Sequence, residues 1–243
     1  YNSLNFELYG DFSGIHLRLM NDITDTVKTT LHYLDQSETG FNGYFHGGGY
    51  SINIAPESTS SVLFGKIGEN GYLDSLEIVG TPYHFTAMVY HNSGIIYSCI
   101  CNVDINLPIY PYGLISGICC LNYGLIESCV NLSNFCNDIH PDTGWFNPYE
   151  ISGICYWNYD TIRGCINKGN FSVKEGVLGG ITTYNEGIIE LCINAGNISS
   201  DNTDPENGST FAGISGTTQI NSIIRNCINS GNISFLAGIP AGG

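Results

Sequence analysis

Five stretches of this chain can be aligned with one another so that a cysteine falls at the same place in each. The clearest copies are 115–135, reading ISGICCLNYGLIESCVNLSNF, and 151–171, reading ISGICYWNYDTIRGCINKGNF. In both copies the cysteine follows an early glycine by 12 positions. Successive anchor cysteines are nevertheless 30, 36, 27 and 35 residues apart: Cys99, Cys129, Cys165, Cys192 and Cys227. Apart from two extra residues in the fifth copy, 211–233, the repeat therefore has a constant frame, and its variation in length enters at one connection after each copy.

Each copy predicts short β-strands and not helices. Runs such as Gly-Leu-Ile and Cys-Ile-Asn are rich in β-branched residues and are interrupted by Gly or Asn before a helical pattern develops. We therefore predict an all-β fold, a right-handed parallel β-helix (β-solenoid) of about eight coils, with the variable loops protruding at one corner. Within it we assign 1–64 to irregular N-terminal coils and 65–243 to regular repeats, the last coil being incomplete.

Equivalent positions of stacked coils should form columns along the axis, because parallel coils lie about 4.8 Å apart. One column is aliphatic and is expected to face the interior beside the anchor cysteines: Ile96, Ile126, Ile162, Ile189 and Ile224. The residues that follow these are expected on the outer surface, where Arg and Glu neighbours neutralise each other: Tyr97, Glu127, Arg163, Glu190 and Arg225.

The ten cysteines are predicted to stay mostly reduced. Cysteines aligned on neighbouring coils point the same way, which suits packed thiols better than the ~90° torsion of a disulfide. Cys119 and Cys155 are expected to form a second, shorter stack. Neither these cysteines nor their neighbours have the CxxC spacing of zinc sites, so we predict no metal and no other cofactor.

Two asparagine stacks are also predicted. The first consists of Asn131, Asn167, Asn194 and Asn229, and the second lies three residues later at Asn134, Asn170, Asn197 and Asn232. Stacked amides can hydrogen-bond from coil to coil, and Asn tolerates left-handed backbone angles. Gly169, Gly196 and Gly231 are expected to serve the same left-handed backbone geometry.

Motifs upstream of the cysteine repeats point to a known family. The chain reads LRLMNDIT at 17–24, FNGYFHGGGYSI at 41–52 and GKIGENGYLDSLEIVG at 65–80, before the repeated GIxxxNxGxIxxCxNxGxI. Together these motifs, which cover most of the chain, resemble the GLUG-motif β-helix domains of large bacterial surface and secreted proteins. The resemblance implies a module that occurs attached to adhesins, peptidases and polysaccharide-active enzymes, and an extracellular or cell-surface location. Because Tyr1 is no natural start and 236–243 begin another coil, we expect a part of a longer exported protein.

The variable loops should lie side by side and create a candidate ligand-binding surface. Aromatic rings offer flat apolar platforms for sugar rings, and carboxylates accept hydrogen bonds from hydroxyl groups. The candidate residues are Tyr110, Tyr112, Asp138, His140, Asp142, Trp145, Phe146 and Tyr149. The simpler alternative is that these aromatics cover the loop and the side of the barrel. The run NDIHPD can also be read as an acid–base cluster, although glycoside cleavage needs two carboxylates about 5 to 9.5 Å apart, and no catalytic residue is assigned.

The charge balance disfavours some partners. With 22 acidic against 7 basic side chains, the formal net charge is −15, which opposes binding to nucleic acid and to anionic lipid. No stretch approaches the ~18 unbroken apolar residues of a membrane span. The remaining partners are a glycan or host or cell-surface ligand, and a second copy bound end to end, since an uncapped β-helix exposes strand edges.

Three functions stay open at this stage. The first is a noncatalytic module of an exported bacterial cell-surface protein, serving as an adhesive, glycan-binding or structural stalk. The second is a polysaccharide-active hydrolase or lyase that uses the loop corner, and the third is a self-assembling extracellular filament subunit. The complete repeat frame favours the first, as does the lack of P-loop, Gly-x-Ser-x-Gly and His-Glu-x-x-His motifs.

Overall fold

The chain folds into an all-β parallel β-helix, as the repeat predicts. The structure is a computed structural model that describes residues 12–27, 40–54, 56, 62–82, 85–106, 114–136, 149–173, 176–200 and 209–235. These residues form 31 short strands, numbered β1 to β31 in chain order, and contain no helix. Neighbouring strands pair in parallel throughout five sheets.

A complete coil passes through the sheets in the order I to V. Sheet I contains β12 (Leu114–Ser116), β17 (Tyr149–Ser152), β22 (Gly176–Gly179) and β27 (Thr210–Ala212). Sheet II contains β5 (Val62–Ile67), β8 (Ala87–Asn92), β13 (Cys119–Asn122), β18 (Cys155–Asn158), β23 (Thr182–Asn185) and β28 (Ser215–Thr218). Sheet III contains β1 (His16–Arg18), β3 (Tyr44–His46), β6 (Tyr72–Asp74), β9 (Ile95–Tyr97), β14 (Leu125–Glu127), β19 (Thr161–Arg163), β24 (Ile188–Glu190) and β29 (Ile223–Arg225).

Sheets IV and V complete the coil. Sheet IV contains β2 (Ile23–Val27), β4 (Ser51–Ile54), β7 (Glu77–Gly80), β10 (Ile100–Val103), β15 (Val130–Asn131), β20 (Ile166–Asn167), β25 (Ile193–Asn194) and β30 (Ile228–Asn229). Sheet V contains β11 (Ile105–Asn106), β16 (Phe135–Cys136), β21 (Phe171–Ser172), β26 (Ile198–Ser200) and β31 (Ile233–Phe235). Sheets III and IV have eight strands each, which agrees with the predicted number of coils.

The longest connections of variable length run from sheet V to sheet I. In four successive coils they leave β11, β16, β21 and β26 and enter β12, β17, β22 and β27. Most of the variation in length therefore enters at one corner of the coil, as predicted, although the connection from β28 to β29 is two residues longer than the one from β23 to β24. Most residues of these connections lie outside the described part of the chain.

The predicted aliphatic column is confirmed, with one exception at the end of the described stack. Strand pairing aligns Ile96, Ile126, Ile162, Ile189 and Ile224, and the first four are fully buried. Ile224 is instead 40% exposed, because β29 is the last strand of sheet III among the described residues and pairs there on one side alone. Nine of the ten cysteines are free thiols: Cys99, Cys101, Cys119, Cys120, Cys129, Cys155, Cys165, Cys192 and Cys227. Cys119 pairs with Cys155 in register.

Asparagine ladders run along the inside and the outside of the coil. In the predicted inner ladder, each Nδ2 donates to the next Oδ1 at 2.8, 2.7 and 2.8 Å: Asn131, Asn167, Asn194 and Asn229. A second inner ladder, which the sequence analysis did not identify, has steps of 2.8 Å: Asn92, Asn122, Asn158 and Asn185. In the other predicted stack, the residues at 134, 170 and 197 are exposed and each Oδ1 accepts from the backbone N–H of the next asparagine.

The predicted backbone role of the repeated glycines is wrong. Gly169, Gly196 and Gly231 are not among the positive-φ residues. A Cβ added to each would instead lie 1.9 Å from a carbonyl oxygen of the neighbouring coil, so close packing of backbones requires glycine there. The left-handed conformation occurs at the corner between sheets III and IV, at Ser75, Ser98, Ser128, Gly164, Leu191 and Asn226.

Candidate functional site

The structure describes one of the eight candidate residues from the sequence. Tyr110, Tyr112, Asp138, His140, Asp142, Trp145 and Phe146 lie outside the described residues. Tyr149 begins β17, where it is half-buried and packs against the main core. The next residue of the same strand, Glu150, contacts a different group of aromatic side chains.

A cluster of aromatic side chains covers the outside of sheet II and the corner that follows it. Along β18, Cys155 and Asn158 are fully buried, whereas Tyr156 and Trp157 belong to a second apolar cluster separate from the main core. Strand pairing places Trp157 beside Tyr184 of the next coil. We call the resulting set the aromatic surface, which consists of His91, Tyr123, Tyr156, Trp157, Tyr159 and Tyr184.

The rings of the aromatic surface contact one another across four successive coils. Tyr123 stacks on His91 and on Tyr159, with ring centroids 4.9 and 4.4 Å apart. Trp157 lies 5.4 Å from Tyr159 and 5.0 Å from Tyr184. Such contacts add to the apolar burial of each ring and restrict its rotamers. Tyr123 remains 44% exposed, and Trp157, Tyr159 and Tyr184 are half-buried.

Two carboxylates accept hydrogen bonds from the polar groups of these rings. The hydroxyl groups of Tyr156 and Tyr184 donate to the two oxygens of Glu150 at 2.8 and 2.6 Å. Trp157 Nε1 donates to Glu186 Oε1 at 3.1 Å. Burial and then the Glu150 carboxylate raise the pKa of Tyr184 to about 12, and they raise that of Tyr156 further. Both phenols therefore stay protonated as donors at neutral pH.

The ring groups at the other end of the aromatic surface are also uncharged at neutral pH. Burial, followed by a hydrogen bond with Tyr123, raises the pKa of Tyr159 to about 12. Burial lowers the pKa of His91, and nearby Lys66 lowers it further, so this imidazole is uncharged at neutral pH. His91 Nε2 lies 3.0 Å from the Ser93 hydroxyl. The fixed charges at the aromatic surface are thus the carboxylates of Glu150 and Glu186, with the ammonium group of Lys66 near His91.

The charged outer column of sheet III is an ion-pair ladder. Arg163 Nε donates to Glu190 Oε1 at 2.6 Å, and Arg225 Nε donates to Glu190 Oε2 at 2.8 Å. Arg163 also lies 3.6 Å from Glu127. The two guanidinium groups lower the pKa of Glu190 through hydrogen bonds and cover its side chain, so this residue is buried and not exposed as predicted. The alternation neutralises neighbouring coils, which is a structural role.

The thiols of Cys101 and Cys129 are poorly suited to nucleophilic chemistry. Cys101 and Cys129 are fully buried, and burial raises the pKa of both, to about 12 at Cys101. A thiol that stays protonated at neutral pH is a weak nucleophile and a weak metal ligand. Within the described ranges, no group of three or more His, Cys, Asp or Glu side chains is placed to hold a metal ion.

The residues of the aromatic surface were not predicted from the sequence for a specific reason. The aromatic candidates were taken from the variable loops, whereas Tyr123, Trp157 and Tyr184 belong to the coils themselves. The signal was the repeat itself, because Trp157 and Tyr184 occupy the same position, one residue before an asparagine of the second inner ladder.

The fold and its outer surface define the class of this protein as a parallel β-helix with a clustered aromatic face. Comparison with protein-family models, curated proteins and solved structures finds no significant match to the chain. None of the described residues forms a helix long and apolar enough to cross a membrane.

Proposed function

We propose that this chain is a noncatalytic β-helix module of an exported bacterial cell-surface protein and that it binds neutral glycans through the aromatic surface. The observation that carries the proposal is the row of contacting rings on four successive coils, from His91 to Tyr184. Export and the cell surface rest on the resemblance of the repeats to GLUG-motif domains. The glycan class rests on the chemistry of the aromatic surface.

The rigidity of the scaffold favours binding of an extended ligand. The strands below the rings are joined by in-register pairing and by an amide ladder that includes Asn122, Asn158 and Asn185. Rings held on such a frame lose little conformational entropy when a ligand packs against them. Four coils spaced about 4.8 Å apart extend over roughly 14 Å, enough for a chain of several sugars.

Charge at the aromatic surface favours a neutral ligand over an acidic one. Glu150 and Glu186 lie among the rings, and the chain as a whole carries a formal charge of −15. Uronates and sialic acids would be repelled by this field, whereas the hydroxyl groups of neutral sugars can donate to carboxylate oxygens.

A direct binding experiment tests the proposal. A glycan array would identify neutral oligosaccharides, and a titration followed by tryptophan fluorescence would give their affinity. Tyr123→Ala removes the most exposed ring of the surface, and Trp157→Phe reduces a ring without emptying its site; each is expected to weaken binding at least several-fold. Tyr97→Ala is the matched control, because Tyr97 is an exposed aromatic on sheet III.

Several outcomes would contradict the proposal. Equal binding by the wild type and the Tyr123 and Trp157 variants would remove the aromatic surface as the site. Binding of acidic but not neutral glycans would remove the charge argument. Glycan shortening during the titration would instead support the polysaccharide-active alternative, and concentration-dependent light scattering by the isolated chain would support the filament alternative.

Glu150 supports a binding role over a catalytic one. Both of its oxygens already accept hydrogen bonds from tyrosine hydroxyls. A general acid or base must be free to exchange a proton with the substrate. In this geometry the carboxylate positions two rings.

A further inference from the structure

A second polar cluster lies on the outside of sheet III, on the first three strands of the stack. Pairing places His16 beside Tyr44 and Arg18 beside His46, and it continues from His46 to Asp74 on the next coil. His16 and His46 are therefore diagonal neighbours on one face. Their rings lie nearly in parallel planes, 12° apart, with centroids separated by 5.3 Å.

The two imidazoles face each other through ring nitrogens. His16 Nδ1 and His46 Nε2 are 3.1 Å apart. On the other side of the His46 ring, Nδ1 lies 2.7 Å from Asp74 Oδ2. An ionised carboxylate can only accept, so His46 Nδ1 carries the proton and His46 Nε2 presents a lone pair towards His16. The ring of His16 is also stacked on Tyr44, with centroids 4.3 Å apart and planes 3° apart.

This arrangement has the features of a histidine metal ligand with its supporting carboxylate. A ligating histidine commonly donates its other ring N–H to a carboxylate, which sets the tautomer and raises the basicity of the ligating nitrogen. Asp74 supplies that contact to His46. Two nitrogens bound about 2.05 Å from one ion at near a right angle are roughly 3 Å apart, close to the distance between the two histidine nitrogens.

We propose that His16 and His46 form a surface site for one divalent transition-metal ion, with Asp74 as the positioning residue of His46 and water in the remaining coordination positions. Binding shifts the His16 proton from Nδ1 to Nε2 and rotates this exposed ring so that both lone pairs meet at the ion. Asp74 lies behind His46 and away from the ion, so the site has two protein ligands and differs from a group of three converging side chains.

The ligand chemistry selects the type of ion. Imidazole nitrogen suits Cu²⁺, Ni²⁺ and Zn²⁺, whereas Ca²⁺ and Mg²⁺ require oxygen ligands. Affinity should follow the usual order for these ions, with Cu²⁺ bound most tightly. The carboxylate of Asp74 favours the added charge, and the guanidinium group of Arg18, beside His46, opposes it.

The location gives metal binding a structural consequence. The two ligands belong to β1 and β3, which are the first two strands of sheet III. An ion shared between them ties the first described coil to the second. Saturating metal should therefore raise the melting temperature, because a ligand that binds the folded state alone stabilises it.

Calorimetric titration of the whole chain with Cu²⁺ at about pH 7.5, where imidazole is ordinarily neutral, tests the site. One saturable site per chain is expected, with weaker Ni²⁺ and Zn²⁺ binding and no response to Ca²⁺. His16→Gln is expected to weaken Cu²⁺ binding at least about tenfold, as is His46→Gln, and Asp74→Asn should weaken it about tenfold through the orientation of His46. Arg18→Gln should strengthen binding a few-fold at low salt.

The control and a spectroscopic readout separate this site from other histidines. His91→Gln changes a histidine of the aromatic surface and is expected to leave Cu²⁺ affinity unchanged. Electron paramagnetic resonance should show coupling to two imidazole nitrogens in the wild type and to one in the His16 variant. His16 is exposed, so its substitution tests the site even if the His46 variant unfolds. Wild-type affinity in the His16 variant with unchanged nitrogen coupling, or an equal loss in the His91 variant, would overturn the proposal.

Discussion

Replacing Asn158 by alanine is expected to destabilise this protein far more than the same change at Asn170, although both belong to one coil. The Asn158 amide is fully buried and donates to Asn185 Oδ1 at 2.8 Å and to the Asp160 carbonyl at 3.1 Å. Its oxygen accepts from Asn122 Nδ2 at 2.8 Å. Asn170 takes part in a similar ladder, but its amide is exposed to water.

The magnitude follows from what each change leaves unpaired. Removing the buried Asn158 amide deprives Asn185 Oδ1 of its donor where water does not replace it, whereas Asn122 Nδ2 keeps the Gly124 carbonyl as an acceptor. A buried group left without its partner costs about 1 to 3 kcal/mol, and this is the expected loss in the free energy of unfolding for Asn158→Ala. At Asn170 water takes over the lost contacts, and the loss should stay below about 1 kcal/mol.

Urea unfolding followed by far-ultraviolet circular dichroism measures both values under the same conditions. Native-state hydrogen exchange then shows whether the loss is confined to the coils around Asn158, as expected for a stack in which each coil contacts its neighbours. If the two variants lost the same free energy of unfolding within about 0.5 kcal/mol, burial would not determine how much each amide contributes to stability, and the reasoning would be refuted. Asn158→Asp keeps an acceptor but buries a charge, and should be at least as destabilising as alanine.

Four further changes have expected outcomes. Leu191 is 55% exposed and has φ 57°, so Leu191→Asn, which suits left-handed backbone better, should raise the free energy of unfolding by about 0.5 to 1 kcal/mol in urea. Gly196→Ala places a Cβ against a carbonyl oxygen of the preceding coil and should lower that free energy by about 2 kcal/mol or more, whereas a stable variant would remove the close-packing argument. The Thr182 hydroxyl is buried without a partner among the described residues, so Thr182→Val should be neutral or stabilising by up to about 1 kcal/mol in thermal melts. Arg163 and Arg225 lower the pKa of Glu190 in the folded state, so the stabilising contribution of this carboxylate is present above the unfolded pKa of about 4.3 and is lost as pH falls through the lower folded pKa. Glu190→Gln should therefore flatten the acidic part of a plot of unfolding free energy against pH. An unchanged plot would contradict the ion-pair assignment.

The columns could be predicted because a parallel coil stack places each repeat position beside its equivalent. Once the cysteines were aligned, Ile96, Ile126 and Ile162 had to lie above one another, and their apolar character placed them inside. The alternating Arg and Glu residues were also identified correctly as one column. The burial of Glu190 was not, because it depends on how two long arginine side chains fold over it from the coils on either side.

The aromatic surface could not be predicted in the same way. Strict alternation would place neighbouring residues on opposite faces, yet Tyr156 and Trp157 both contact the cluster outside the main core, between the buried Cys155 and Asn158. The glycine error has a similar origin. A glycine at a fixed repeat position indicates a backbone constraint. However, a positive φ and a neighbouring carbonyl too close for a Cβ both require glycine, and the sequence does not distinguish between them.

The repeat spacing alone established that the chain forms stacked β-coils, which positions line the interior and where the long loops enter. These properties follow from periodicity, since residues with the same register in identical units experience the same environment. The placement of Glu150 between Tyr156 and Tyr184, and of His16 beside His46, depended on the three-dimensional path of the chain. Each of these contacts joins residues of different repeat positions, or of coils without the cysteine pattern, and their side-chain directions follow from local backbone turns that periodicity does not encode.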